Sequence, residues 1–202
     1  MKSVKEDGCN LTTSSKRIFS PVKLSSPNSY HGKNLTGIAR HVRDLAADIH
    51  ANIQQWNTLH LQGITCIKTI TQEKQTKNYY SRTLQDLCDN LESICDSLDD
   101  KVRNLDRIKH QLKAVATLQK TSDKLFITWP TNKFGNVAET IYEAYHKEAK
   151  LKRKILENVA HNHTASWKML HLAAWQYQPL LSENVTILLE SLLLETGHRL
   201  LR

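Results

Sequence analysis

From residue 38 onward, apolar side chains recur at three- and four-residue steps. Ile38, Val42, Leu45, Ile49, Ile53, Trp56, Leu59, Ile64, Ile67 and Ile70 fall on one face of a helix, and no proline follows Pro27 until Pro130. The spacing predicts a long amphipathic helix, and the polar stretch Thr71 to Asn78 reads as its connection to a second one. That second helix carries the clearest signal in the chain. Leu84, Leu91, Leu98, Leu105 and Leu112 repeat every seven residues. Leu87, Ile94, Lys101, Ile108 and Val115 follow three positions later, so five heptads contain one polar intrusion, at Lys101.

With the leucines at heptad position a, the e positions are Cys88, Cys95, Val102, Lys109 and Ala116, and the g positions are uncharged. A two-stranded zipper places Glu and Lys on those flanks, whereas an apolar e position widens the buried stripe until it touches more than one neighbour. A bundle is therefore expected. Asp86, Asp89, Glu92, Asp96, Asp99 and Asp100 precede Lys101, Arg103, Arg107, Lys109 and Lys113, so the helix runs acid first and base last. In a parallel homodimer like charges would lie level with each other, which disfavours that assembly. An antiparallel hairpin within the chain, one face left for a partner, is preferred. A second helix of about 45 residues would be about 65 Å long.

The pattern breaks at Phe126 to Thr131, because the residue before Pro130 is pushed out of helical geometry. Phe134, Val137, Ile141, Tyr145, Ala149, Ile155 and Val159 restore a helical stripe. A shorter apolar segment, Trp167 to Trp175, ends at Pro179, and Ser182 and Gly197 read as the cap and left-handed stop of a last helix. The expected fold is all-α: a disordered tail (1–35), a long antiparallel coiled-coil hairpin (36–125) and a small C-terminal helical unit (126–202).

Composition sharpens this picture. Of the net charge of +8, the tail holds +4, through six basic residues against Glu6 and Asp7. Its serines and two prolines suit a segment that cannot offset its ordering entropy. Half of the basic excess is thus set apart from the helices. With only six glycines there is neither a GxGxxG nor a GxxxxGK[ST] loop. No segment has the length or hydropathy of a membrane span, and the N-terminus lacks an apolar signal core, so a cytosolic or nuclear setting is expected. Cys9, Cys66, Cys88 and Cys95 form no CxxC pair and read as buried thiols.

The candidate chemistry is sparse. Ser20, followed by Pro21 and Lys23, matches a proline-directed cyclin-dependent kinase site in an extended tail, and Ser26 with Pro27 is a minimal version. Arg43-Asp44-Leu45, Arg82-Thr83-Leu84 and Arg103-Asn104-Leu105 match a cyclin-docking pattern, but periodicity assigns each leucine to a buried face. Lys147, Lys150, Lys152, Arg153 and Lys154 form a basic cluster that, with the tail, offers an alternative reading as a direct nucleic-acid binder. A solvated helix face is the simpler account, since Glu143, Glu148 and Glu157 lie within pairing reach and no aromatic run alternates with the cations. His161, His163 and His171 lack a clear fourth metal ligand. No Gly-x-Ser-x-Gly turn or exposed nucleophile points to an enzyme, and no cofactor is expected. Trp129, Trp167 and Trp175 divide between core and interface, because a small helical unit rarely buries so many large aromatics.

One resemblance goes further. It rests on Thr128-Trp129-Pro130-Thr131 with Phe134, then Tyr145 with Lys147-Glu148 and Leu151-Lys152-Arg153. It continues through Ala160-His161, Trp175 and Gln178-Pro179 to Leu189-Glu190-Ser191 and Leu193-Leu194-Glu195-Thr196-Gly197-His198-Arg199. Over residues 126 to 202 the chain resembles the cyclin-dependent kinase 2-interacting protein family. The resemblance implies a nuclear, non-enzymatic coiled-coil adaptor in DNA replication and the replication-stress checkpoint, linking cell-cycle kinases at origins. It further implies a subunit of a chromatin-associated AAA-type ATPase assembly acting on replication proteins and maturing ribosomal particles. The implied partners are cyclin-dependent and replication-initiation kinases, checkpoint proteins and ATPase subunits, with nucleic acid reached only indirectly. Trp129, Pro130, Phe134, Trp175, Pro179, Glu195, Gly197 and His198 are the candidate partner-binding residues.

Overall fold

A computed structural model of the chain describes residues 35–76, 81–119, 124–161 and 164–199. The fold is all-helical: α1 (Gly37–Thr76), α2 (Arg82–Leu118), α3 (Thr131–Val159), α4 (Ala165–Tyr177) and α5 (Glu183–Glu195). Both candidate phosphorylation serines, Ser20 and Ser26, lie outside the described residues.

The five heptad leucines are all buried, and so are Cys95, Val102 and Lys109 at the e positions. The widened stripe has the consequence that geometry demands, because α2 packs along α1 on one side and along α3 on the other. The face expected to await a partner is thus covered by α3 of the same chain. α2 has 37 residues, shorter than the expected 45, so α1 and α2 are each about 55–60 Å long. α1 runs through Thr76 and takes in most of the stretch read as a connection. Ser81 caps α2, its hydroxyl accepting the Leu84 N–H.

The acid-first order of α2 finds its complement in α3, which lies antiparallel. Arg153, late in α3, holds Asp96 and Asp99 early in α2, and Lys113, late in α2, meets Glu139 early in α3 at 2.5 Å. Between them Lys109 lies 4.1 Å from the Tyr142 ring centroid and pairs with Asp106. Each contact adds little where it is exposed, but together they select the antiparallel register. One continuous core runs from Val42 on α1 to Leu193 on α5.

Residues 124–130 are not helical, and Pro130 stands at the N-cap of α3 with φ −69°. α5 ends as expected. Gly197 has φ +76°, its N–H bonds to the Leu194 carbonyl, and the His198 N–H bonds to the Leu193 carbonyl. That pair of bonds is the Schellman arrangement, which needs a residue at ease in the left-handed region.

Candidate functional site

The C-terminal half of α3, α4 and the turn after α4 meet at a buried polar junction. Pro179 has no N–H, so the carbonyl of Trp175, four residues earlier, has no helical partner. Lys152, fully buried, reaches across from α3 and donates to that carbonyl at 3.2 Å. Its ammonium lies 3.2 Å from His60 Nδ1, 3.4 Å from Glu148 Oε1 and 4.3 Å from the Trp175 ring centroid. The second Glu148 oxygen accepts the Leu180 N–H at 3.2 Å. The Trp175 indole donates to the His60 carbonyl at 3.1 Å, and the Trp56 indole donates to the Gln178 side chain at 2.8 Å. Gln178 caps α4 in the left-handed region, φ 45°.

Gly63 explains how Trp175 fits. A Cβ at that position would lie 2.2 Å from Trp175 Cζ2, so the indole rests directly on the α1 backbone. Burial sets the charges of the junction. It lowers His60 to about 4, with Lys152 adding to the effect, and leaves a neutral ring whose Nδ1 accepts from the ammonium. It lowers Lys152 to about 8 against the pull of Glu148, so the amine stays charged at neutral pH. Burial raises Glu148, while Lys152 and the Leu180 N–H draw it back. The result is a buried ion pair that fixes α4 on α1 and α3.

A second carboxylate fixes the loop ahead of α3. Glu195, buried at the end of α5, accepts the N–H groups of Ile127, Thr128 and Trp129 at 2.9, 2.5 and 2.8 Å. Its other oxygen accepts the Thr128 hydroxyl at 2.9 Å. Three consecutive N–H groups converging on one carboxylate make strong, charge-assisted bonds. His198 Nε2 lies 2.8 Å from the Arg43 carbonyl and ties this end to α1. The Thr-Trp-Pro and Glu-Thr-Gly-His segments are therefore halves of one contact.

The candidate residues separate accordingly. Phe134, Trp175 and Glu195 are buried and build the unit, so their side chains offer a partner no surface. Gly197 serves the helix stop, and Trp129 is half-buried, its ring 5.4 Å from Phe134. Pro130 and Pro179 are exposed, and His198 is half-buried. The basic cluster is divided: Lys152 is inside and Arg153 is engaged by Asp96 and Asp99, which corrects its reading as a solvated face. Leu45, Leu84 and Leu105 of the cyclin-docking patterns are buried. His161 is exposed, His171 is buried and His163 lies outside the described residues. Among the described residues, no group of three potential ligands could hold a metal ion. Cys66 and Cys95 are buried, Cys88 is half-buried, and burial pushes the Cys95 thiol up to about 12.

What remains outward is α4. Only His171 and Trp175 of its thirteen residues are buried, while Trp167, Met169, Leu170 and Tyr177 are exposed, as is Leu180 beyond it. No periodic sequence signal separates its two faces, since both are apolar. Large apolar side chains thus stand outward on a helix that is clamped from behind.

The chain is 32% identical over 190 residues to the cyclin-dependent kinase 2-interacting protein of Xenopus laevis, covering 82% of this chain and 92% of that protein. The chain belongs to the cyclin-dependent kinase 2-interacting protein family. Relatives of the same name in Mus musculus and Bos taurus are 31% and 30% identical over 193 residues, each covering 81% of this chain and 91% of the relative. The likeness to this family therefore reaches well beyond residues 126 to 202, into the long helices. No family model matches the chain.

Proposed function

We propose that this protein is a non-enzymatic nuclear adaptor that associates with a cyclin-dependent kinase. The observation that carries the reading is the outward apolar face of α4, held rigid by the Lys152, Glu148, His60 and Trp175 junction, in a chain whose relatives are named for interacting with that kinase. Through such surfaces it serves DNA replication and the replication-stress checkpoint, linking cell-cycle kinases at origins. It also acts as a subunit of a chromatin-associated AAA-type ATPase assembly with a role in ribosomal particle maturation. Ser20 is the kinase substrate position, with Ser26 secondary.

Direct binding of nucleic acid is the weaker reading, because of the five cations in the Lys147 to Lys154 cluster Lys152 is buried and Arg153 is paired with Asp96 and Asp99. The test is affinity purification of the tagged full-length chain from nuclear extract, with purified cyclin-dependent kinase 2 and its cyclin as a direct arm. Stoichiometric recovery of the kinase and of ATPase subunits is expected, with phosphate incorporated at Ser20 and lost in Ser20→Ala. Recovery of the chain as a lone monomer overturns the reading.

A further inference from the structure

Two thiols face each other where α1 and α2 pack. The Ser81 hydroxyl donates to Glu73 at 3.3 Å near the turn, and Lys101 donates to Gln55 at 2.6 Å farther along. The antiparallel register between those contacts puts Cys66 level with Cys88. Across that level the Cys66 thiol donates to the Leu87 carbonyl at 3.2 Å. A trans peptide holds that oxygen about 3 Å from the Cys88 Cα, so Cys66 Sγ lies within about 6 Å of the same Cα. Cys66 therefore sits over the turn of α2 that carries Leu84, Leu87, Cys88 and Leu91, as a knob enters a hole at a coiled-coil seam. Two small side chains in one such layer allow the close Cβ approach that a disulfide needs.

The end of α3 decides which thiol solvent reaches. Cys88 and Cys95 occupy the same heptad position, one heptad apart. Cys95 is buried, its sulfur 4.0 Å from the Lys152 carbonyl of α3. With Arg153 held by Asp96 and Asp99, the antiparallel α3 stops at Val159, short of Cys88, which is half-buried. Burial pushes the Cys66 thiol above its ordinary range, and Cys88 adds to the effect, so Cys66 stays protonated and Cys88 is the thiol open to attack.

We infer that Cys66 and Cys88 are a redox pair, in which a hydroperoxide oxidises Cys88 and Cys66 closes the product into a disulfide that joins α1 to α2. In the first step the Cys88 sulfur takes an oxygen from hydrogen peroxide. An S–O bond forms, the O–O bond breaks, water leaves and Cys88 becomes a sulfenic acid. In the second step the Cys66 sulfur attacks that of Cys88. The S–S bond forms, the S–O bond breaks, and the hydroxyl leaves as water with the Cys66 proton. The two sulfurs give up two electrons in all, and the peroxide accepts them. The bond closes the loop through the α1–α2 turn and fixes that end of the hairpin.

The test is hydrogen peroxide treatment of the full-length chain, followed by peptide mapping without reductant and by dimedone labelling of sulfenic acid. A linked pair of peptides carrying Cys66 and Cys88, two hydrogens lighter than their sum and separated by dithiothreitol, is expected, with Cys95 unoxidised. Cys9→Ser should link as readily as the native chain. Cys88→Ser, a one-atom change at a half-buried position, should abolish the link. Cys66→Ala should strand the sulfenic acid and raise dimedone label at Cys88 by at least about tenfold. A link from Cys88 to Cys9 or to a second chain, no link at all, or label at Cys88 that Cys66→Ala does not raise overturns the inference.

Discussion

The seam between α1, α2 and α3 and the junction beneath α4 are both buried, yet they are held in different ways. Along the seam, leucines and isoleucines repeat over five heptads and each contributes similar apolar contact. At the junction one indole, one ammonium and one carboxylate share a few ångströms, and each occupies a place no other residue type fills. A repeated contact tolerates local damage because its neighbours persist. A single polar junction gives specificity of position, and it fails when one member is removed.

The largest effect should come from Trp175→Ala, which empties a fully buried site and abandons the His60 carbonyl. A loss of about 5 kcal/mol in chemical denaturation is expected, with α4 amides exchanging at the rate of an undocked helix. A loss below that of an α2 leucine truncation such as Leu98→Ala would break the comparison. Next, Lys152→Met leaves Glu148 buried without its cation and should cost about 3 kcal/mol, the carboxyl protonating to limit the damage. Adding Glu148→Leu should recover most of that loss, because an apolar pair of similar volume needs no compensation. Non-recovery in the double variant would show that the pair does more than offset its own burial.

Glu195→Gln removes the charge that gathers three N–H groups and should cost about 2 kcal/mol. Hydrogen exchange should speed up at Ile127, Thr128 and Trp129 while α2 stays protected. A further effect concerns pH. His60 takes a proton near 6.5 when unfolded but only at about 4 when folded, so unfolding takes up a proton between those values. The stability of the native chain should therefore fall as pH drops from 6.5 to 4. The difference between native protein and His60→Gln should change across that window and be flat above pH 7.5, and a parallel pair of pH profiles would remove His60 from the junction.

Periodicity made the long helices legible, including the apolar e positions that called for more than one neighbour on α2, though not that α3 of the same chain would be the second. It also placed Phe134, Val137, Ile141 and Tyr145 on the buried face of α3, and Gly197 at the stop of α5. It could not place Lys152 inside, because nothing local distinguishes that lysine from Lys150 or Lys154; the difference lies in His60 and Trp175, far away in sequence. The same holds for Glu195, whose partners are 66 to 68 residues distant. Pro179 was legible as a helix end, but the carbonyl it orphans becomes a lysine site only in three dimensions. α4 was readable as apolar and no more, since an apolar helix without a polar face gives no sign of which side is covered.

Hydrogen-exchange mass spectrometry of the full-length chain, alone and with purified cyclin-dependent kinase 2 and its cyclin, tests most directly whether α4 is the surface through which this protein acts. Slowed exchange across residues 165–177 on kinase binding, with α2 unchanged, is the predicted result. Slowing confined to α1 and α2, with α4 exchanging as in the free chain, would contradict it.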